Sequence, residues 1–294
     1  MKTKKTIWGR LALFTATFFW GTSFVVLKNA LYQVDILWIL AVRFSIAALL
    51  FALFANRKLL HMTRENVRGS ILIGACLAAA YIVQTYGLKY TTPGKNAFLT
   101  AVYCVLVPFL AWAIYRKKPA AYNIVAAFLC MIGIGFVSLG GETAGLNRGD
   151  ILTLLCGIFY ALLIIMMERY VSNCEAVCIS AIEFAAAAVI CWIGTLLFEH
   201  RAQQVTPALW GSILYMAVVC TGLCFFLQAW GIRYTPSSTA AVILTFEAVF
   251  GAFSSVIFYH EALTLKLVVG FLLIFLSVVI SETGASFLKG RKRT

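Results

Sequence analysis

Charge is the first thing this sequence lacks. Only 12% of its 294 residues are Asp, Glu, Lys or Arg, while 62% are hydrophobic; soluble chains run nearer a quarter charged and half apolar. That excludes a soluble domain of ordinary make-up. Also missing are the short motifs of catalysis. No HExxH, no GxSxG and no GxxxxGKS/T phosphate loop occurs, so neither an enzyme nor a pump driven directly by ATP is signalled. The nine cysteines include no CxxC pair and no Cys/His cluster. Cys76, Cys104, Cys130, Cys156, Cys191, Cys220 and Cys224 fall inside apolar runs and behave there as small hydrophobes. Neither a zinc site, another cofactor nor a disulfide framework is expected. No small-x-small cleavage site follows the basic-then-apolar start MKTKKTIWGRLALF, so this stretch is expected to remain as a first span. The alternation of a β-barrel, over about ten residues per strand, is absent too.

What the chain does have is long apolar runs, and about 20 such residues cross a bilayer as a helix. Ten spans are predicted: Ile7–Leu27, Ile36–Phe54, Gly69–Leu88, Ala97–Tyr115, Tyr122–Leu139, Ile151–Met167, Val177–Phe198, Ala208–Ile232, Ala240–Tyr259 and Leu267–Ser281. The fold class is therefore an all-α integral membrane protein. The net charge of +13 sits at helix ends, where it sets topology beside anionic headgroups rather than marking a nucleic-acid partner. With the N-terminus inside, seventeen basic residues fall on the cytoplasmic side and six on the other. Both termini are therefore placed in the cytoplasm, in a multi-pass plasma-membrane protein.

The runs echo each other. Gln84–Tyr115 laid without a gap on Gln228–Tyr259 matches Gln84/Gln228, Gly87/Gly231, Tyr90/Tyr234, Thr91/Thr235, Phe109/Phe253 and Tyr115/Tyr259. A shift of 140 residues further aligns Gly9 with Gly149, Phe19-Trp20 with Phe159-Tyr160, and Arg43-Phe44 with Glu183-Phe184. The chain thus divides into repeats 1–140 and 141–294, joined at Gly140–Asp150. Five spans is an odd number, so the second repeat threads the membrane in the opposite sense. Inverted repeats of this kind serve alternating access, in which one central site faces either side by rocking.

At these residues the sequence resembles the drug/metabolite transporter superfamily, in particular its ten-helix EamA-type members. The carrying stretches are FFWGTSFVVLKNA (Phe18–Ala30), LAVRFSIAAL (Leu40–Leu49), YTTPGKNAFLTAVYCVLVP (Tyr90–Pro108), AWGIRYTPSSTAAVILTFEAVFGA (Ala229–Ala252) and HEALT (His260–Thr264). The resemblance implies two inverted EamA units and a central cavity lined mainly by the first four helices of each. Helices 5 and 10 would then be peripheral. Many relatives read Glu-Pro where this chain has Glu247-Ala248; its proline appears only in the first unit, at Pro108. No proline therefore marks a break in the ninth span.

Charges deep in a bilayer are costly and usually face the protein interior or a wet cavity. Arg43, Glu183 and Glu247 are such charges. Glu247 could bind and release a proton as the cavity opens to each side, or could be a packing partner. Arg43 could gate the path or hold a substrate carboxylate, and Glu183 occupies the matching place in the other repeat; packing anchors near helix ends are the alternative for both. Gln84 and Gln228 are matched amides that either contact substrate or bond helices together. Trp20, Tyr81, Tyr86, Tyr103, Tyr160, Phe226 and Trp230 could form an aromatic lining; Trp8, Trp38 and Trp210 read as interface anchors. Thr92-Pro93 and Pro236-Ser237 are helix starts, with attraction of an anion beside Lys95 as the alternative. Gly133, Gly135, Gly222 and Gly270 would let helices approach closely.

The expected function is a secondary transporter exporting a small metabolite or drug-like solute, with proton antiport as its energy source. A non-transporting receptor or scaffold, and a facilitative importer or exchanger, are the alternatives. The expected partners are a small-molecule substrate, the lipid bilayer and protons, with a homodimer left open. Neither substrate nor direction can be read from these residues.

Overall fold

Long apolar runs bounded by capping residues dictate the elements. The computed structural model describes residues 2–116, 118–138, 147–171, 175–199, 205–260 and 264–283, and among them every regular element is helical. In chain order, α1 is Lys2–Ala30, α2 is Ile36–Ala55 and α3 is Arg64–Tyr90. Next, α4 comes in two pieces, α4a (Pro93–Thr100) and α4b (Tyr103–Tyr115). They are followed by α5 (Ala121–Ser138), α6 (Arg148–Val171) and α7 (Ala176–Phe198). Helix α8 starts at Pro207–Leu214, is wound as a π-helix over Tyr215–Leu223 and returns to α over Cys224–Ile232. Last come α9a (Ser237–Leu244), α9b (Phe246–Tyr259) and α10 (Leu265–Thr283). Eight helices are long and apolar enough to cross a membrane, and Ala121–Phe136 and Val268–Ser277 are two shorter apolar ones. That accounts for all ten expected spans. The joint at 140/141, most of HEALT and the C-terminal basic residues lie outside the described residues.

Threonines start three of the helices. Thr63, Thr92 and Thr206 each accept the backbone N–H three residues on, at 3.2 Å, and Pro93 and Pro207 follow two of them where a missing N–H costs nothing. Helices α4 and α9 end on Arg116 (φ 56°) and His260 (φ 54°), non-glycine residues in the left-handed region at positions matched by the 144-residue shift.

The helices thread alternately. On the face carrying the N-terminus, Lys58 before α3 pairs with Glu175 before α7 at 2.8 Å. On the opposite face, Lys28 Nζ donates to the carbonyls of Leu88, Lys89 and Thr91 at 2.6, 3.1 and 2.9 Å, holding the last turn of α3. There too, Asp150 at the start of α6 accepts from Thr91 Oγ1 at 2.6 Å, with Lys95 Nζ 3.6 Å away. Glu199, just past α7, accepts the N–H groups of Leu37 and Trp38 at 2.8 Å each and so caps α2, which Asp35 does not. Burial pushes the Glu199 carboxyl up, and the two N–H donors pull it partly back.

Packing follows the repeat. Helix α2 lies against its counterpart α7, and α5 against its counterpart α10; α1 crosses α8 as α6 crosses α3. The matched glycines make these last two crossings. A Cβ on Gly9 would stand 3.2 Å from the Gly231 carbonyl, and one on Gly231 would stand 2.7 Å from that of Gly9. The same reciprocal approach joins Gly149 and Gly87, at 2.6 and 2.9 Å. Of the other glycines expected at close crossings, Gly133 meets the Gly270 carbonyl at 2.9 Å. Gly135 faces open space and Gly222 has only ordinary contacts, so those two expectations are corrected: their sides of α5 and α8 carry no tight crossing.

Candidate functional site

Two of the ten spans are interrupted near their middles, and at equivalent residues. In α4 the Ala101 N–H bonds the Phe98 carbonyl at 3.2 Å and the Cys104 N–H bonds that of Ala101 at 3.0 Å. Shifted by 144, the Thr245 N–H bonds Val242 at 3.3 Å and the Ala248 N–H bonds Thr245 at 3.0 Å. Each break is the same tight three-residue turn, and neither contains proline. The ninth span therefore breaks without the residue expected to mark it. Thr245 helps, its Oγ1 donating to the Val242 carbonyl at 2.6 Å. The half-helices α4b and α9b consequently begin inside the protein, with Tyr103 and Glu247 in their first turns. An acid there meets the positive end of the helix dipole.

Around these breaks lie two small cavities stacked along the bundle. The one nearer the N-terminal face, about 20 Å³, is lined by Trp20, Tyr81, Thr100, Tyr103, Tyr160, Ile164, Phe225, Gln228, Leu244 and Glu247. The other, about 10 Å³, is lined by Ser23, Phe24, Leu27, Arg43, Tyr81, Gln84, Leu88, Asn96 and Glu247. Each has room for about one water. Helices α1, α3, α4, α6, α8 and α9 line the first cavity; α2 adds Arg43 to the second, and α5 and α10 reach neither. Wider clefts open at the two faces. One of about 240 Å³ is bordered by Asp35, Tyr86, Lys89 and Glu199; the other, about 630 Å³, lies on the N-terminal face by Tyr115, Lys118, Glu168 and Ser237.

The structure thus brings Trp20, Tyr81, Tyr103, Tyr160, Gln84, Gln228, Arg43 and Glu247 to one centre. Glu247 and Tyr81 border both cavities. No hydrogen bond reaches the Glu247 carboxylate from the described residues. Glu183 lies elsewhere: it is fully buried in α7, its backbone against Gly74 of α3, with both carboxylate oxygens unpartnered among the described residues. Trp230 also points away, its ring edge-on to Tyr234 at 5.5 Å. Phe226 rests beside Phe51 (6.4 Å), and Tyr86 belongs to the outer cleft.

Polar groups fix the aromatic shell. Trp20 Nε1 donates to the Cys220 carbonyl in the π-helical part of α8, at 2.6 Å. Thr221 Oγ1 in the same stretch donates back to Met216 at 2.8 Å and accepts from Arg43 Nε. Arg43 Nη2 donates to Tyr81 OH at 3.3 Å, with the guanidinium carbon 4.7 Å from the ring centre. Phe44 and its repeat mate Phe184 stack at 6.3 Å with planes 10° apart. The two matched amides differ. Gln84 accepts from Tyr160 OH at 2.7 Å and donates to Thr100 Oγ1 at 3.0 Å, whereas Gln228 Oε1 is buried with no partner among the described residues.

Sequence reasoning missed Asn96, Thr100 and Phe225. Phe225 was open to discovery, because it stands opposite Tyr81 in the 144-residue pairing that matched Gln84 to Gln228. Asn96 carried no signal beyond its place at a helix start.

Over residues 7–139 and again over 147–283 the chain matches the EamA-like transporter family. It is 31% identical over 276 residues to a protein of Archaeoglobus fulgidus named an uncharacterized transporter, covering 94% of this chain and 86% of the other. It is similar to the uncharacterized transporter YoaV of Bacillus subtilis, 22% identical over 273 residues and covering 90% and 93% of the two chains. A biotin transporter of Escherichia coli is 24% identical over 261 residues, with 85% and 84% covered. A solved crystal structure superposes with a TM-score of 0.78 at 16% identity, covering 96% of this chain and 99% of that one; this likeness is one of fold.

Proposed function

The chain belongs to the EamA-like transporter family, and on that premise we propose that it exports a small metabolite by alternating access, with Glu247 carrying the coupling proton. The observation that carries this reading is the position of Glu247. It sits at a helix break, between two cavities stacked toward opposite faces, and borders both. An acid so placed can be reached from one side and then the other if the bundle rocks, which is what a proton carrier requires. The N-terminal face, richer in basic residues, is the cytoplasmic one in this reading, and the wider cleft there would admit the solute.

Energy would come from proton antiport across the plasma membrane. Glu247→Gln keeps the shape of the side chain and removes the titrating oxygen. In liposomes carrying the purified full chain, it is expected to abolish solute movement driven by a pH gradient while the folded yield persists. Normal uphill accumulation by Glu247→Gln would remove Glu247 from the mechanism. Solute binding without any flux in the wild type would instead favour a receptor.

A further inference from the structure

Helix α9a begins without a cap. Pro236 stands at its N-cap position and has no side-chain oxygen to offer. The N–H groups of Ser237, Ser238 and Thr239 find no acceptor among the described residues. Water can serve such groups, but the side chains around them point to more. Ser237 is only 4% exposed and lines the cleft of about 630 Å³ on the N-terminal face. Its hydroxyl makes no hydrogen bond among the described residues. Lys118, from the link between α4b and α5, borders the same cleft, as does Arg169 from the last turn of α6, its guanidinium 5.5 Å from the Tyr170 ring centre. Lys118 forms no ion pair among the described residues, and Glu168 is the single acid on the cleft wall. Two cations, one acid, a buried hydroxyl and the positive end of a helix thus share one opening.

The matching helix start, on the opposite face, shows what this one lacks. At α4a, Thr92 Oγ1 accepts the Lys95 N–H at 3.2 Å, and the Asp150 carboxylate alongside accepts from Thr91 Oγ1 at 2.6 Å. The repeat shifts put Pro236 for Thr92, Ser237 for Pro93 and Arg10 for Asp150. Thr235, the mate of Thr91, keeps its hydroxyl buried and without a partner among the described residues. One repeat carries its own anion at this place, and the other carries a cation there instead.

We propose that the cleft on the N-terminal face binds a phosphate group at the start of α9a, held by the Ser237 and Ser238 N–H groups and the Ser237 hydroxyl and balanced by Lys118 and Arg169. A phosphate presents several oxygens on one centre, which suits donors that converge at a helix start. A phospholipid headgroup and free phosphate share this chemistry. Helix α9a is eight residues long, so the site lies about 12 Å from the break at its other end and apart from the central cavities. A phosphate held there ties the α4b–α5 link and the end of α6 to the half-helix that carries the break.

The test needs no transported solute. Thermal unfolding of the full chain in a neutral detergent is compared in sodium phosphate and in sodium chloride of equal ionic strength. A second arm compares dihexanoyl phosphatidylglycerol with dihexanoyl phosphatidylcholine. Phosphate should raise the midpoint by about 2–4 °C over chloride; a rise with phosphatidylglycerol alone assigns the site to an anionic lipid headgroup. Ser237→Asp brings its own carboxylate to the first turn and should cancel the response. Lys118→Gln, at an exposed position, should raise the concentration giving half the shift about threefold. No rise with any probe, or an equal rise with both lipids and none with phosphate, overturns the proposal. So does a rise that Lys118→Gln leaves unchanged, whether or not Ser237→Asp folds.

Discussion

Gln84 and Gln228 occupy the same place in two halves of one fold, and their surroundings could hardly differ more. Around Gln84 stand Thr100 and Tyr160, both bonded to its side chain, and Asn96, bonded to its carbonyl. The matching positions around Gln228 are Leu244, Trp20 and Ala240, which either cannot bond it or bond elsewhere. The same replacement sets Glu247 opposite Tyr103. The first repeat has spent its polar groups on holding helices together, and the second has left them open to the cavity. Symmetry of backbone is thus kept at the crossings and the helix breaks, and symmetry of chemistry is given up at the cavities between them.

That contrast can be broken in order of expected effect. Gly149→Ala and Gly231→Ala attack the shared frame. Each drives a methyl into a facing carbonyl, and both should lower stability by a similar amount, about 1–3 kcal/mol, in thermal unfolding of the detergent-solubilised protein. A large loss from one and none from the other would show that the two crossings are not equivalent. Gln84→Ala and Gln228→Ala attack the difference. The first strands buried Thr100 and Tyr160 groups and should cost about 1–2 kcal/mol. The second should leave unfolding unchanged while slowing exchange, and the reverse result would invert the roles assigned to the two amides. Glu199→Ala, far from the centre, removes a cap and should cost only about 1 kcal/mol, with little change in transport.

Much of the frame was legible because membrane spans announce themselves by length, and because the echo of Gly87 in Gly231 is a packing constraint written twice. What that echo means shows only in the packing, where Gly87 meets Gly149 and Gly231 meets Gly9. The break in α9 was not legible, since Thr245 and Ala101 share no residue type and proline marks neither. Nor does the sequence decide between the two roles open to Gln84 and Gln228, because that depends on side chains from other helices. Trp230 shares the residue type of the lining aromatics, but its helical position turns it toward Tyr234. Arg43, Glu183 and Glu247 stand out equally as charges in apolar runs; helix packing sets Arg43 and Glu247 on one cavity and leaves Glu183 apart.

The π-helical stretch of α8 has one more consequence. A segment wound too wide holds a residue in reserve, and tightening it to an α-helix would slip the register by one position. Everything beyond Cys224 would then turn by about 100° around the helix axis. Gln228 would swing out, and Leu227 or Ala229 would take its place on the cavity wall. The Trp20 hydrogen bond to the Cys220 carbonyl pins the present register. With the Arg43 bond to Thr221 in the same stretch, that indole helps set whether this wall of the cavity is amide or hydrocarbon, sticky or slick.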